Sequence, residues 1–142
     1  MAMTTMTPRE MKPKTVDSEK ITINLGLIDL GQIDLLVNEG FYANRSDLIR
    51  TAIRNQLVAH ADVVRQVVAR KTLVLGIQHF SADDLRAVQA SGEALQIRVL
   101  GLATIALDVT PELALAAIDS VVVLGALHAS PAVKAALAGR IR

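Results

Sequence analysis

The residues best suited to specific hydrogen bonding lie in one alternating run. In KITINL, residues 20–25, polar Lys20, Thr22 and Asn24 alternate with apolar Ile21, Ile23 and Leu25. A period of two puts the polar three on one face of a strand and the apolar three on the other. Lysine supplies donors, asparagine a donor beside an acceptor, and threonine a hydroxyl beside a methyl group. A second polar cluster, Asn44, Arg45 and Ser46, stands where a helical pattern begins. Asn44 with Asp47 three residues later resembles a capping box, and Asp47 also suits the positive end of a helix.

Other kinds of chemistry lack their residues. The chain has no cysteine, which removes thiolate nucleophiles, disulfides and cysteine zinc sites together and fits a reducing compartment. His60, His79 and His128 do not form a metal spacing. There is no glycine-rich phosphate loop, nucleophile elbow or carboxylate pair, so neither an enzyme nor a cofactor is expected. The small residues around Ala114–Ala117 read as tight packing.

The alternating strand needs a partner for its ladder donors and acceptors. No second alternating segment lies nearby, so the simplest partner is the same strand of another copy, giving an intermolecular two-stranded antiparallel ribbon. After it, Leu30, Ile33, Leu36 and Val37 recur at helical spacing, although Gly31 within the stretch costs about 1 kcal/mol relative to alanine. Gly26-Leu27 before that helix offers an apolar surface to the C-terminal half. A turn at Gly40 follows. A second helix with Leu48, Ile49, Ala52, Ile53, Leu57, Val64, Val67 and Val68 on one stripe then runs to about Arg70.

Beyond Arg70 the pattern changes. An imperfect repeat carries Leu-Gly pairs at 75–76, 100–101 and 124–125, a period of about 24 residues in which a β-rich stretch precedes a short helix. Ser81, Thr110 and Ser130 stand at the helix starts, and Pro111 and Pro131 occupy first helical positions, where a missing N–H is harmless. Three such units form a small solenoid-like β/α region in which each coil covers its neighbour. VVVLGA, residues 121–126, has no obvious following coil to cover it. The fold class is therefore α+β: a tail at 1–17, a first domain at 18–70 and a repeat region at 71–142.

Composition narrows the function. An apolar fraction of 51% supports a packed core, and the three aromatic residues, Phe41, Tyr42 and Phe80, give no stacking platform for single-stranded nucleic acid. No apolar run approaches a membrane span and the polar start is no secretory signal, which leaves the cytoplasm. Net charge is only +1, so composition alone does not suggest a polyanionic partner.

KITINLGLIDLGQIDLLVNEGFYANRSDLIRTAIRNQL resembles the ribbon-helix-helix family of bacterial repressors, which includes the Met and Arc repressors and the plasmid copy-number regulators. The likeness covers residues 19–57 through the alternating strand, the apolar helix, the glycine turn and the NRSDLIRTAIRNQL segment. It implies that two strands enter the major groove of double-stranded DNA, with Lys20, Thr22 and Asn24 meeting base edges. It also implies that Asn44, Arg45 and Ser46 anchor a phosphate at the helix start. Ile21, Ile23, Leu25, Ile33, Leu36, Leu48, Ile49, Ala52 and Ile53 would form the core of a homodimer. Ala43 stands where many relatives have a hydroxyl residue.

Alternation and resemblance together predict a sequence-specific transcriptional regulator, a repressor acting at the nucleoid, with residues 71–142 coupling dimers into tetramers or larger assemblies. Two other functions fit parts of the pattern: an antitoxin whose C-terminal segment wraps a toxin, and a structural polymer in which the ribbon-helix-helix serves as a clamp.

Overall fold

The computed structural model describes residues 18–142, and the expected tail at 1–17 lies outside them. The fold is α+β, with six α-helices and a three-stranded parallel sheet among the described residues. Helices α1 (Leu27–Asn38), α2 (Arg45–Ala59) and α3 (Ala61–Arg70) come first. Strand β1 (Val74–Phe80), helix α4 (Ala82–Ser91), strand β2 (Leu95–Ile105), helix α5 (Pro111–Ala117), strand β3 (Ile118–His128) and helix α6 (Pro131–Leu137) follow.

Helix α1 ends in the turn expected at Gly40. Gly40 has φ 87°, its N–H donates to the Val37 carbonyl, and the Phe41 N–H donates to that of Leu36. This double closure needs a left-handed residue, which glycine supplies without a Cβ clash. The expected single helix to Arg70 is instead two, broken at His60, whose φ and ψ are −103° and 10°. The His60 N–H turns back to the Leu57 carbonyl, and the His60 carbonyl starts α3 by accepting from Val64. Neither proline nor glycine marks the break, so the pattern held no signal for it. Leu27 is exposed, contrary to the packing expected of Gly26-Leu27, because Gly26 caps α1 and turns Leu27 and Ile28 outward.

The C-terminal half follows its repeat closely. Each strand leads into a helix capped by the expected side chain. Ser81 Oγ accepts from the Asp84 N–H, Thr110 Oγ1 from Leu113 and Ser130 Oγ from Val133, while Pro111 and Pro131 sit in the first turns. The strands lie in the order β1-β2-β3, in register, so that Leu75, Leu100 and Leu124 align, as do Gly76, Gly101 and Gly125. The glycine row is a steric requirement. Gly101 has φ 136°, and a Cβ there would lie 2.2 Å from the Gly76 carbonyl oxygen; one on Gly125 would lie 2.0 Å from that of Gly101.

Helices α4, α5 and α6 cover one face of the sheet. Leu85, Ala114, Ala117, Val133 and Leu137 pack there on Ile97, Val99, Ala103, Ile105 and Val121. The end of β3 expected to be uncovered is partly closed: Ile141 forms a parallel bridge to Val121, and the Arg142 N–H donates to the Val121 carbonyl. Arg98 of β2 joins the halves, its guanidinium donating to the Lys71 carbonyl at 2.9 and 2.6 Å. That carbonyl lies at the negative end of α3, where a cation is favoured. No helix among the described residues is long and apolar enough to cross a membrane.

Candidate nucleic-acid interface

Residues 18–26 carry no regular secondary structure in the single chain. The alternating segment has no ladder partner among the described residues, which leaves its N–H and C=O groups open to pairing. Lys20, Thr22 and Asn24 are exposed, as the alternation requires, and so are Ile21, Ile23 and Leu25. The segment runs beside α2: Lys20, Ile21 and Ile23 share a groove with Ser46, Ile49, Arg50 and Ile53. The candidate base-reading segment and the helix expected to grip the backbone are therefore neighbours. Arg50 belongs to the same groove. Its signal was its position four residues after Ser46, on the same helix face.

The start of α2 is built by a reciprocal cap displaced by one residue. Asn44 Oδ1 accepts from the Asp47 N–H at 2.8 Å, while Asp47 Oδ2 accepts from the Ala43 N–H at 3.0 Å. Ala43 thus has its donor satisfied without a hydroxyl of its own. The N–H groups of Arg45 and Ser46 find no acceptor among the described residues. First-turn donors together with the positive helix end make this a place for an anion.

Arg45 has a partner that the sequence reading did not name. Its Nε and Nη2 donate to Asp34 Oδ1 and Oδ2 at 2.7 and 2.8 Å, tying α2 to α1. This hydrogen bonding holds the Asp34 carboxyl below its usual range and raises the guanidinium further. Both groups are largely exposed, so the pair adds little stability. Its effect is on position: a bidentate contact fixes the guanidinium plane and leaves Nη1 free of Asp34. Local spacing does not reveal this partner, since Asp34 lies eleven residues away across the Gly40 turn.

The nine expected dimer-core residues share one property. None is buried in the single chain: Ile33, Leu48 and Ile49 are half-buried, and Ile21, Ile23, Leu25, Leu36, Ala52 and Ile53 are exposed. A helical pair that leaves its aliphatic stripe uncovered lacks the core that would hold it together.

The profile of the Ribbon-Helix-Helix transcriptional regulator family matches residues 16–134. The chain belongs to that family. Ribbon-helix-helix regulators bind DNA, usually as dimers, and the match runs from before the alternating segment into α6. The sheet half thus falls within the family's span, well beyond the resemblance at 19–57. The chain has no match among curated proteins or solved structures. Among the described residues no group of three histidine or acidic side chains could hold a metal.

Proposed function

We propose that this ribbon-helix-helix regulator is a sequence-specific repressor that reads the major groove with two copies of residues 20–25 paired as an antiparallel ribbon. The observation that carries this reading is the absence of any buried side chain between Ser18 and Thr72. A second copy supplies both the missing ladder partner and the missing cover for Ile21, Ile23, Leu25, Ile49 and Ile53. Pairing turns Lys20, Thr22 and Asn24 to the DNA side. There lysine donates to guanine acceptors, asparagine bonds an adenine edge, and threonine offers its hydroxyl or methyl. The free N–H groups of Arg45 and Ser46, with Arg45 aimed by Asp34 and Arg50 alongside, meet the phosphates. Such a regulator works at the nucleoid in the cytoplasm.

The three in-register β/α units of the C-terminal half form a short solenoid that couples dimers. The modest net charge of +1 favours such coupling, because a tethered second binding event is intramolecular. An antitoxin segment that folds on its toxin would be poor in apolar residues, whereas this half has its own core.

The test replaces Thr22 and Asn24 by alanine in the full chain, using an operator selected from random duplexes. Specific affinity should fall at least ~10-fold, since one lost base contact costs about 1–3 kcal/mol. Assembly, measured by light scattering, should be unchanged. Operator affinity equal to that of the unsubstituted chain would remove these side chains from base contact.

A further inference from the structure

Parallel sheets are ordinarily covered on both faces. Here α4, α5 and α6 cover one. On the other, alternation along the registered strands places Leu75 and Ile77 of β1, Leu100 and Leu102 of β2, and Val122, Leu124 and Ala126 of β3. Leu75, Ile77 and Leu124 are 65%, 62% and 53% exposed. No charged residue interrupts this surface; Arg98 bounds it at one end, and His79, Thr104 and His128 bound it at the other. An exposed aliphatic surface with a polar rim has the make-up of an interface.

The patch is continuous with the uncovered face of the N-terminal half. Ile21 lines the groove against Ile23, Ile49 and Ile53, and it also lines the groove over Leu75, Ile77, Leu100 and Leu102. The chain's own Ser18–Ile21 segment reaches over part of the sheet, with Glu19 Oε1 lying 3.4 Å from His128 Nε2. Within that surface Leu102 is buried, at 7% exposure, but Leu75, Ile77 and Leu124 stay open and Ile21 is itself 76% exposed.

Size decides what can complete the cover. From strand spacing and rise, three strands over the paired length present roughly 300 Å² per copy, against about 800 Å² per partner for a stable free-standing interface. Such a face cannot hold free copies together, but it can close between copies already joined, where effective concentration is high. Lacking charge, it is complementary to itself, as a two-fold contact requires.

We propose that the outward face of the C-terminal sheet is covered by the same face of a second copy, the one joined through the N-terminal half. The dimer interface then extends from the ribbon through Ile21 onto the sheet. This inference rests on the dimeric reading above and adds where the two C-terminal halves meet.

The cysteine-free chain makes the test direct. Leu75→Cys and Leu124→Cys are compared with Gln89→Cys, an exposed position on α4, each in the full-length chain of mass known from light scattering. Maleimide labelling at 75 and 124 should be at least ~10-fold slower than at 89, as expected of covered positions. Protection should disappear when Ile23→Glu is added to break the ribbon. A dimer labelled equally fast at all three positions would overturn the inference and leave the dimeric reading intact. Protection that survives in monomeric Ile23→Glu would assign the cover to the chain's own Ser18–Ile21 segment and overturn it too. A monomeric unsubstituted chain would remove both readings together.

Discussion

Between Ser18 and Thr72 no side chain is buried, whereas fifteen apolar residues from Leu73 to Leu137 are. The apolar content of the two regions does not explain this, since α1 alone carries Leu27, Ile28, Leu30, Ile33, Leu35, Leu36 and Val37. The difference is topological. The sheet half repeats a strand and a helix three times in register, so each unit finds its cover in its neighbour. The helical half offers one alternating segment and three helices, and among the described residues nothing buries their aliphatic side chains. One region finds its cover within a chain, and the other, on the dimeric reading, finds it between chains.

The self-contained region should break most severely along its glycine row. Gly101→Ala places a methyl group where only 2.2 Å separates it from the Gly76 carbonyl oxygen, at a φ that alanine rarely adopts. A loss on the order of 3–5 kcal/mol is expected, read as an early transition in denaturant unfolding of the full chain. An unchanged midpoint would mean that the three strands are not stacked glycine on glycine.

The second prediction turns on concentration. If residues 18–70 fold only against a second copy, tenfold dilution should lower their apparent stability by about 1.4 kcal/mol through mass action, leaving the sheet transition in place. Two transitions followed by far-ultraviolet circular dichroism across three protein concentrations would separate these behaviours. A helical transition indifferent to dilution would refute the division.

The boundary between the regions is itself strained. Thr72, with φ 55°, closes α3 as its N–H donates to the Ala69 carbonyl and the Leu73 N–H donates to that of Val68. A β-branched residue in the left-handed region costs about 1–2 kcal/mol, part of which glycine would return as chain entropy. Thr72→Gly should therefore stabilise the junction by roughly 0.5–1 kcal/mol. Destabilisation instead would show that the threonine side chain contributes more to the junction than its backbone costs.

The same contrast explains what the sequence disclosed. Ser81, Thr110 and Ser130 were legible as caps, with Pro111 and Pro131 beside them, because capping is local chemistry within one turn. The Leu-Gly repeat was legible because a constant spacing becomes a constant register. The groove that unites Lys20 with Ser46 and Arg50, and the Asp34–Arg45 pair, depend on how separate elements meet, which no local pattern encodes. The break at His60 was hidden for a different reason: an aliphatic stripe runs on both sides of it, and no residue there resists helix.

The smallest effect distinguishes the regions by acid. Asp84 accepts the Ser81 N–H at 2.9 Å while Ser81 Oγ accepts from the Asp84 N–H at 3.1 Å. The Ser81 backbone bond foremost, then its side chain, hold the Asp84 carboxyl below its usual range. In the helical half the Arg45 hydrogen bond does the same to Asp34. A carboxyl that holds its proton less tightly in the folded state stabilises the fold above the ordinary carboxylate range and loses that contribution as pH falls through it. Both regions should accordingly weaken in acid, each through its own group. Asp84→Asn, whose amide oxygen can still accept the Ser81 N–H, should flatten the acid dependence of the sheet transition alone. Asp34→Asn should flatten only the concentration-dependent one. Acid sensitivity moving in the wrong transition would mean that the two halves unfold as one unit, joined more tightly than the Arg98 contact with Lys71 implies.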